Sequence, residues 1–169
     1  IINMDGSNVV EEFSTLINPE RNIPFYISKL TGITNEMVYD APKFFEVAKK
    51  IVEMTKGRIF VAHNVYFDFN FIKHEFAELG YTYSRDKLCT VKLARKNLPG
   101  YDSYSLGRIC SDLGIKIKNR HRALGDALAT VELFKLILNK DNRPDLEKTK
   151  LLIPPHINPK EIENLPESC

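Results

Sequence analysis

The chain has 169 residues, 43% hydrophobic and 27% charged, an ordinary balance for one globular domain or one domain with a tail. A formal net charge of +2 gives no bulk argument for nucleic acid, so any such partner has to be held at a local site. No run of about 18 apolar residues is present for a membrane helix, so no membrane partner is expected. The first residues lack the basic and apolar stretches of a signal peptide. Cys89, Cys110 and Cys169 are too widely spaced to suggest a disulfide framework or a zinc knuckle, and a reducing cytoplasm is the simplest reading. With no Met at position 1, the chain is expected to begin inside a longer protein.

In chain order, Met4-Asp5-Gly6-Ser7 is turn chemistry, because Asp-Gly favours a tight hairpin. It predicts that Ile1 to Asn3 ends one strand, paired antiparallel with a second strand from Glu12 to Ile17 and stopped by Asn18-Pro19. Ile27, Leu30 and Ile33 mark a short helix or turn ending near Gly32. A helix is expected from Pro42, in its first turn, to Met54, with Phe44, Phe45, Val47, Ala48, Ile51 and Val52 on a buried face. Residues Arg58 to Ala62 read as a buried strand running into His63-Asn64. A helix over Phe67 to Leu79 follows and closes at Gly80. Beyond it come a short strand near Leu88 and helices over Val91 to Asn97, Ser105 to Leu113 and Ala123 to Leu138. The last is expected to bury Leu124, Leu128, Val131, Phe134 and Leu138. Strands alternating with helices argue for a layered α/β domain with a mixed sheet over residues 1–140. The prolines from Pro144 onward make residues 141–169 a linker or tail.

Three features carry candidate chemistry. His63-Asn64-x-x-Phe67-Asp68 lies where a strand becomes a helix, the usual ligand position in α/β domains, although Asp68 also suits the helix dipole as a plain first-turn acid. In His121-Arg122-Ala123-Leu124-Gly125-Asp126-Ala127, Asp126 is an acid among apolar neighbours, and burying a carboxylate calls for a partner or a metal. A structural hydrogen bond or a solvated helix face is the plain alternative there. Leu30-Thr31-Gly32-Ile33-Thr34 is a small-residue turn that could bring backbone N–H groups to a phosphate or base.

In this order and spacing the set resembles the DnaQ-like exonucleases of the DEDDh branch, the DNA polymerase III epsilon-like type, over roughly Ile1 to Leu138. Thr90-x-x-Leu93-Ala94-Arg95, Tyr104-Ser105-Leu106 and Leu113-Gly114-Ile115 are similar to that family's connecting region. The resemblance implies a ribonuclease H-like three-layer fold, a central mixed β-sheet flanked by helices. It implies a metal-dependent 3′→5′ exonuclease acting on single-stranded DNA or the 3′ end of duplex DNA, in proofreading or repair, with a DNA polymerase as candidate partner. Asp68 and Asp126 would help hold two divalent ions, Mg²⁺ or Mn²⁺. His121 would be the general base. Gly32, Thr34, His63, Asn64 and Phe67 would shape the pocket for the terminal nucleotide, with Phe67 either stacking on it or part of the core.

The family's opening Asp-x-Glu is not in this sequence. The resemblance places Ile1 to Asn3 on the fold's second strand, so the motif is expected upstream, and the chain as given is expected to bind metal poorly and cut little. Leu151-Leu152-Ile153-Pro154-Pro155-His156 and Leu165-Pro166-Glu167-Ser168-Cys169 resemble the lead-in to a GIY-YIG nuclease domain of the UvrC type; a proline-rich tail is the alternative. Two other functions stay open at this point: an RNA-directed exoribonuclease of the same chemistry, and a non-catalytic module binding nucleic acid or a polymerase.

Overall fold

A computed structural model describes residues 1–6, 8–118 and 122–140. Within them β1 (Ile2–Asp5) and β2 (Asn8–Glu12) form an antiparallel hairpin. Helices α1 (Phe25–Thr31), α2 (Asn35–Tyr39) and α3 (Phe44–Thr55) follow. Then β3 (Phe60–Ala62) leads into α4 (Val65–Glu78), and β4 (Lys87–Cys89) into α5 (Thr90–Asn97), before α6 (Leu106–Asp112) and α7 (Ala123–Lys140). β3 and β4 pair in parallel, Phe60 with Lys87 and Ala62 with Cys89. The strands are thus of both kinds, and among the described residues the two pairs are not hydrogen-bonded to each other.

The hairpin keeps the expected pairing but moves its second strand earlier. Asp5 partners Asn8 across Gly6 and position 7, so the return strand starts at once and Glu12 already reaches Ile2. The ladder ends with the Ile1–Phe13 pair, bonded in both directions at 2.8 and 2.9 Å. Residues 14–17 therefore carry strand-like patterning without strand hydrogen bonds. Ser7 lies outside the described residues.

Pro42 stands ahead of α3 rather than in its first turn. Lys43 is the N-cap, and the Glu46 carboxylate accepts its backbone N–H at 2.7 Å, closing the helix start that Pro42 cannot donate to. Phe45 turns outward, whereas Val47, Ala48, Ile51 and Val52 are buried as expected. α4 begins two residues before its expected start, at Val65, because Asn64 is already the cap.

The core is in two clusters. The first joins α3 to α4 through Val47, Ala48, Ile51, Val52, Phe69, Phe76 and Tyr83, with Ile1, Phe13 and Ile17 packed against it. Tyr83 stacks on Phe76 at 4.8 Å, and its hydroxyl donates to Thr55 Oγ1 at 3.1 Å. The second lies among α5, α6 and α7 and consists of Ala94, Leu98, Ile109, Cys110, Ala129, Leu133 and Ile137. The buried stripe of α7 is Gly125, Ala129, Leu133 and Ile137 with Val131, not the Leu124, Leu128, Phe134 and Leu138 face read from the sequence. Small residues at 125 and 129 let neighbouring helices approach closely, while Leu128 is left exposed.

Candidate active site

The polar residues gather at the carboxyl ends of β3 and β4. There His63 follows β3, and Thr90 follows β4 as the first residue of α5. Thr90 is fully buried. The His63 ring bridges three segments: Nδ1 lies 3.0 Å from Thr90 Oγ1 and Nε2 2.8 Å from the Tyr104 carbonyl. A carbonyl only accepts, so Nε2 carries the proton, and in the neutral ring Nδ1 accepts from the Thr90 hydroxyl. Burial pushes the His63 pKa below its ordinary 6.5, while the bond to Tyr104 pulls the other way. Both ring nitrogens are thereby engaged by the protein. His63 acts as a tie between strand, helix and loop.

Asn64 caps α4 in the left-handed region, φ 71° and ψ 54°, without a hydrogen bond from its own side chain to the helix. That conformation is costly for most residues and least so for glycine and asparagine. It swings the chain so that Val65 turns into the core and Asp68 arrives one turn later at the helix surface. Desolvation raises the Asp68 pKa above 3.8, and the negative charge of Asp126 raises it further, against an opposing hydrogen bond from its own backbone N–H. The same Asp126 charge adds to burial in pushing the Cys110 thiol beneath it up to about 11. Asp68 on α4 and Asp126 on α7, the two acids that the sequence singled out, thus lie within electrostatic reach of one another. Phe67 is exposed, which removes the reading of it as core.

Gly32 ends α1 in the left-handed region at φ 68°. Its carbonyl accepts the Arg122 guanidinium at 2.9 Å, joining two motifs 90 residues apart. The backbone carbonyl of Arg122 accepts the Asp126 N–H at 3.1 Å, so the same residue also shapes the first turn of α7. The Thr34 hydroxyl is committed to α2: it accepts the Met37 N–H at 3.4 Å and donates to Glu36 Oε2 at 3.1 Å. His121 lies outside the described residues, as do the tail and its GIY-YIG-like segments.

Sequence reasoning gave no role to Arg122, Thr90, Tyr104 or Cys89. An arginine inside the third motif was the available signal for the first. Thr90 and Tyr104 work through a hydroxyl and a backbone carbonyl whose partners only the fold reveals. Burial pushes the Cys89 thiol up, yet backbone N–H groups of Lys92, Val65, Asn64 and Val91 aim at the sulfur and leave its pKa lowered.

A mixed α/β domain with polar residues at the carboxyl end of parallel strands, and two acids on separate helices within electrostatic reach of one another, is the class these observations define. Residues 1–134 match the sequence profile of the RNase T exonuclease family. The DNA polymerase III epsilon subunit of Aquifex aeolicus (strain VF5) is 41% identical over 140 residues, 82% of this chain and 69% of that protein. The 3′-5′ exonuclease DinG of Bacillus subtilis (strain 168) is 37% identical over 81% of this chain. The PolC-type DNA polymerase III of Clostridium perfringens (strain 13 / Type A) is 34% identical over 98% of it. The chain spans only 15% of that DinG and 12% of that PolC. Among solved structures, Exonuclease X in complex with 5′ overhanging duplex DNA superposes with a TM-score of 0.67 at 26% identity, covering 84% of this chain and 81% of that one. The chain belongs to the exonuclease family, and its fold is the ribonuclease H-like one expected from the motifs.

Proposed function

We propose that this domain removes nucleotides from the 3′ end of DNA, with divalent cations held by Asp68 and Asp126, in the replication or repair setting that the names of its polymerase and DinG relatives suggest. The observation that carries the reading is a half-buried Asp68 on α4 whose pKa is raised by burial and, to a lesser degree, by the charge of Asp126 on α7. Two acids that repel when bare are relieved by a cation, and hard oxygen donors suit Mg²⁺ or Mn²⁺. Among the described residues no group of three His, Cys, Asp or Glu could hold a metal, so further ligands would be water, phosphate oxygens or groups outside them. Bound cations would activate the attacking water and stabilise the charge that develops at the scissile phosphate.

The remaining roles belong to side chains. Asn64, Phe67 and the Gly32 turn seat the terminal nucleotide, and Arg122 holds that turn against the start of α7. The Thr34 hydroxyl contributes by capping α2 rather than by direct contact. His63 keeps the ends of β3, α5 and the loop before α6 in register. His121, five residues before Asp126, takes the proton from the attacking water. Two free cysteines among the described residues fit work in the reducing cytoplasm, and a DNA polymerase is the protein partner in view.

The test is digestion of a 5′-labelled single-stranded oligonucleotide by the full gene product with Mg²⁺ or Mn²⁺, beside Asp68→Ala, Asp126→Ala and His121→Ala. A ladder shortening from the 3′ end and lost in all three variants is the expected result. An inert wild-type protein that still binds the oligonucleotide would sink the enzymatic reading in favour of a binding module. Faster trimming of an RNA oligonucleotide would move the substrate to RNA.

A further inference from the structure

Apolar packing does little to hold the turn at the end of α1. The helix has no buried residue, and no residue from Phe25 to Thr34 belongs to either core cluster. Its own hydrogen bonds are short-range: the Gly32 N–H donates to the Ser28 carbonyl at 2.7 Å, the Thr31 hydroxyl to that of Ile27 at 2.8 Å, and the Ile33 N–H to the Thr31 hydroxyl at 3.1 Å. Among the described residues, the hydrogen bond that joins residues 25–34 to a distant part of the chain is the one from the Arg122 guanidinium to the Gly32 carbonyl, 2.9 Å long and 90 positions away. A cation suits that place, since the carbonyls at a helix C-terminus carry partial negative charge. Among the described residues Arg122 is in no salt bridge, so no carboxylate there competes for it. Through its main chain the same residue accepts the Asp126 N–H at 3.1 Å. Arg122 thus meets the α1 turn with its side chain and the acid-bearing turn of α7 with its backbone.

We infer that Arg122 is a positioning residue, which sets the turn at Gly32 against Asp126 so that cutting responds to the base seated at the 3′ end. The inference rests on the proposed nuclease reading, in which that turn seats the terminal nucleotide. Without the guanidinium, the end of α1 loses its tether to α7, and a nucleotide on the turn is no longer aligned with the acids. A misplacement of about 1 Å is enough to cost on the order of a hundredfold in rate. The phosphodiester itself still reaches Asp68 and Asp126, so what remains is slow cutting that ignores the terminal base.

The full gene product with Mn²⁺ is given two 5′-labelled single strands of one sequence, one ending in thymidine and the other in an abasic residue. The first cut on each is timed with enzyme in excess. Wild type should cut the thymidine end at least about tenfold faster. In Arg122→Ala the two rates should converge to within about twofold. Arg122→Lys, whose ammonium can still donate to the carbonyl, should keep most of the preference. The ratio is indifferent to the fraction of enzyme that is folded, so a role in stability alone would lower both rates and leave the preference intact. That result overturns the inference, as does a wild type that cuts both ends alike. If Arg122→Ala does not fold, Arg122→Met, which keeps an unbranched stem without the donors, is read by the same two outcomes. A wild type inert on both strands defeats the nuclease reading itself, whereas an active one whose preference survives the substitution defeats only the role of Arg122.

Discussion

The α3–α4 core and the α5–α6–α7 core are built from different material, and each carries one of the two acids. The first is aromatic: Phe69, Phe76 and Tyr83 pack at its centre, and Phe44 and Phe60 meet Phe76 and Phe69 edge-on at 5.2 and 5.6 Å. The second is made of alanines, a thiol and aliphatic side chains that let helices lie close. Asp68 rides on the first and Asp126 on the second, so the candidate site lies on the seam between them. A seam tolerates difference on its two sides provided that something holds them in register. His63 ties the end of β3 to the start of α5 and the loop before α6, and Arg122 ties the start of α7 to the end of α1.

The hardest way to break that comparison is to damage one core at a time. Phe76→Ala should cost about 4 kcal/mol and Leu133→Ala about 3 kcal/mol. Followed by urea unfolding, both should move one cooperative transition. Two separated transitions in either variant would mean that the seam does not couple the halves.

The tie itself comes next. His63→Ala removes two hydrogen bonds and should cost about 2 kcal/mol. Its pKa is lowered on folding, so its contribution is complete above 6.5 and is lost as pH falls from there toward the lowered folded value. The urea midpoint of the wild type should therefore decline between pH 7 and 5, and that decline should flatten in His63→Gln. An unchanged slope would exclude His63 as its source.

Burial of the Asp68 carboxyl, with the charge of Asp126 adding to it, gives a smaller effect of opposite sign. The raised Asp68 pKa stabilises the fold below pH 3.8 and ceases to do so as pH rises through its folded value. At pH 7 without cations, Asp68→Asn should thus be at least as stable as wild type. Mn²⁺ at about ten times its Kd should add roughly 1.4 kcal/mol to the wild type and nothing to the variant, read by thermal melting. Equal shifts in both proteins would place the cation elsewhere.

Smallest is the turn. A Cβ at Gly32 would lie 3.6 Å from the Arg122 guanidinium, an ordinary contact, so Gly32→Ala should cost about 1 kcal/mol through its positive φ alone. A much larger loss in urea unfolding would show that the Arg122 contact is displaced as well.

Much of this was legible before any coordinates. α1 ended at Gly32 as read, and α4, α5 and α6 matched to within a residue or two, because each has a glycine, a cap or a clear apolar stripe marking its bounds. The two acids were singled out by their positions within motifs. α7 was misread because apolar residues surround it: with Leu124, Leu128, Leu133, Phe134, Ile137 and Leu138 all present, periodicity selects no stripe, and the small residues at 125 and 129 decide the buried face. The second strand was placed late because alternation in residues 13–17 says nothing about whether a ladder partner is there to meet it. The ties were hidden for another reason. A carbonyl such as that of Tyr104 or Gly32 has no signature in a sequence.

Asn64 bears on how this protein can change. At φ 71° a β-branched residue is excluded outright and an alanine is strained by about 1–2 kcal/mol, whatever the chemistry nearby. Drift at this position is policed by backbone sterics before catalysis has any say. A saturation scan of residue 64 would thus first sort the twenty side chains by conformation, and glycine, which adopts this backbone freely, would test whether the amide of asparagine contributes to the proposed nucleotide binding.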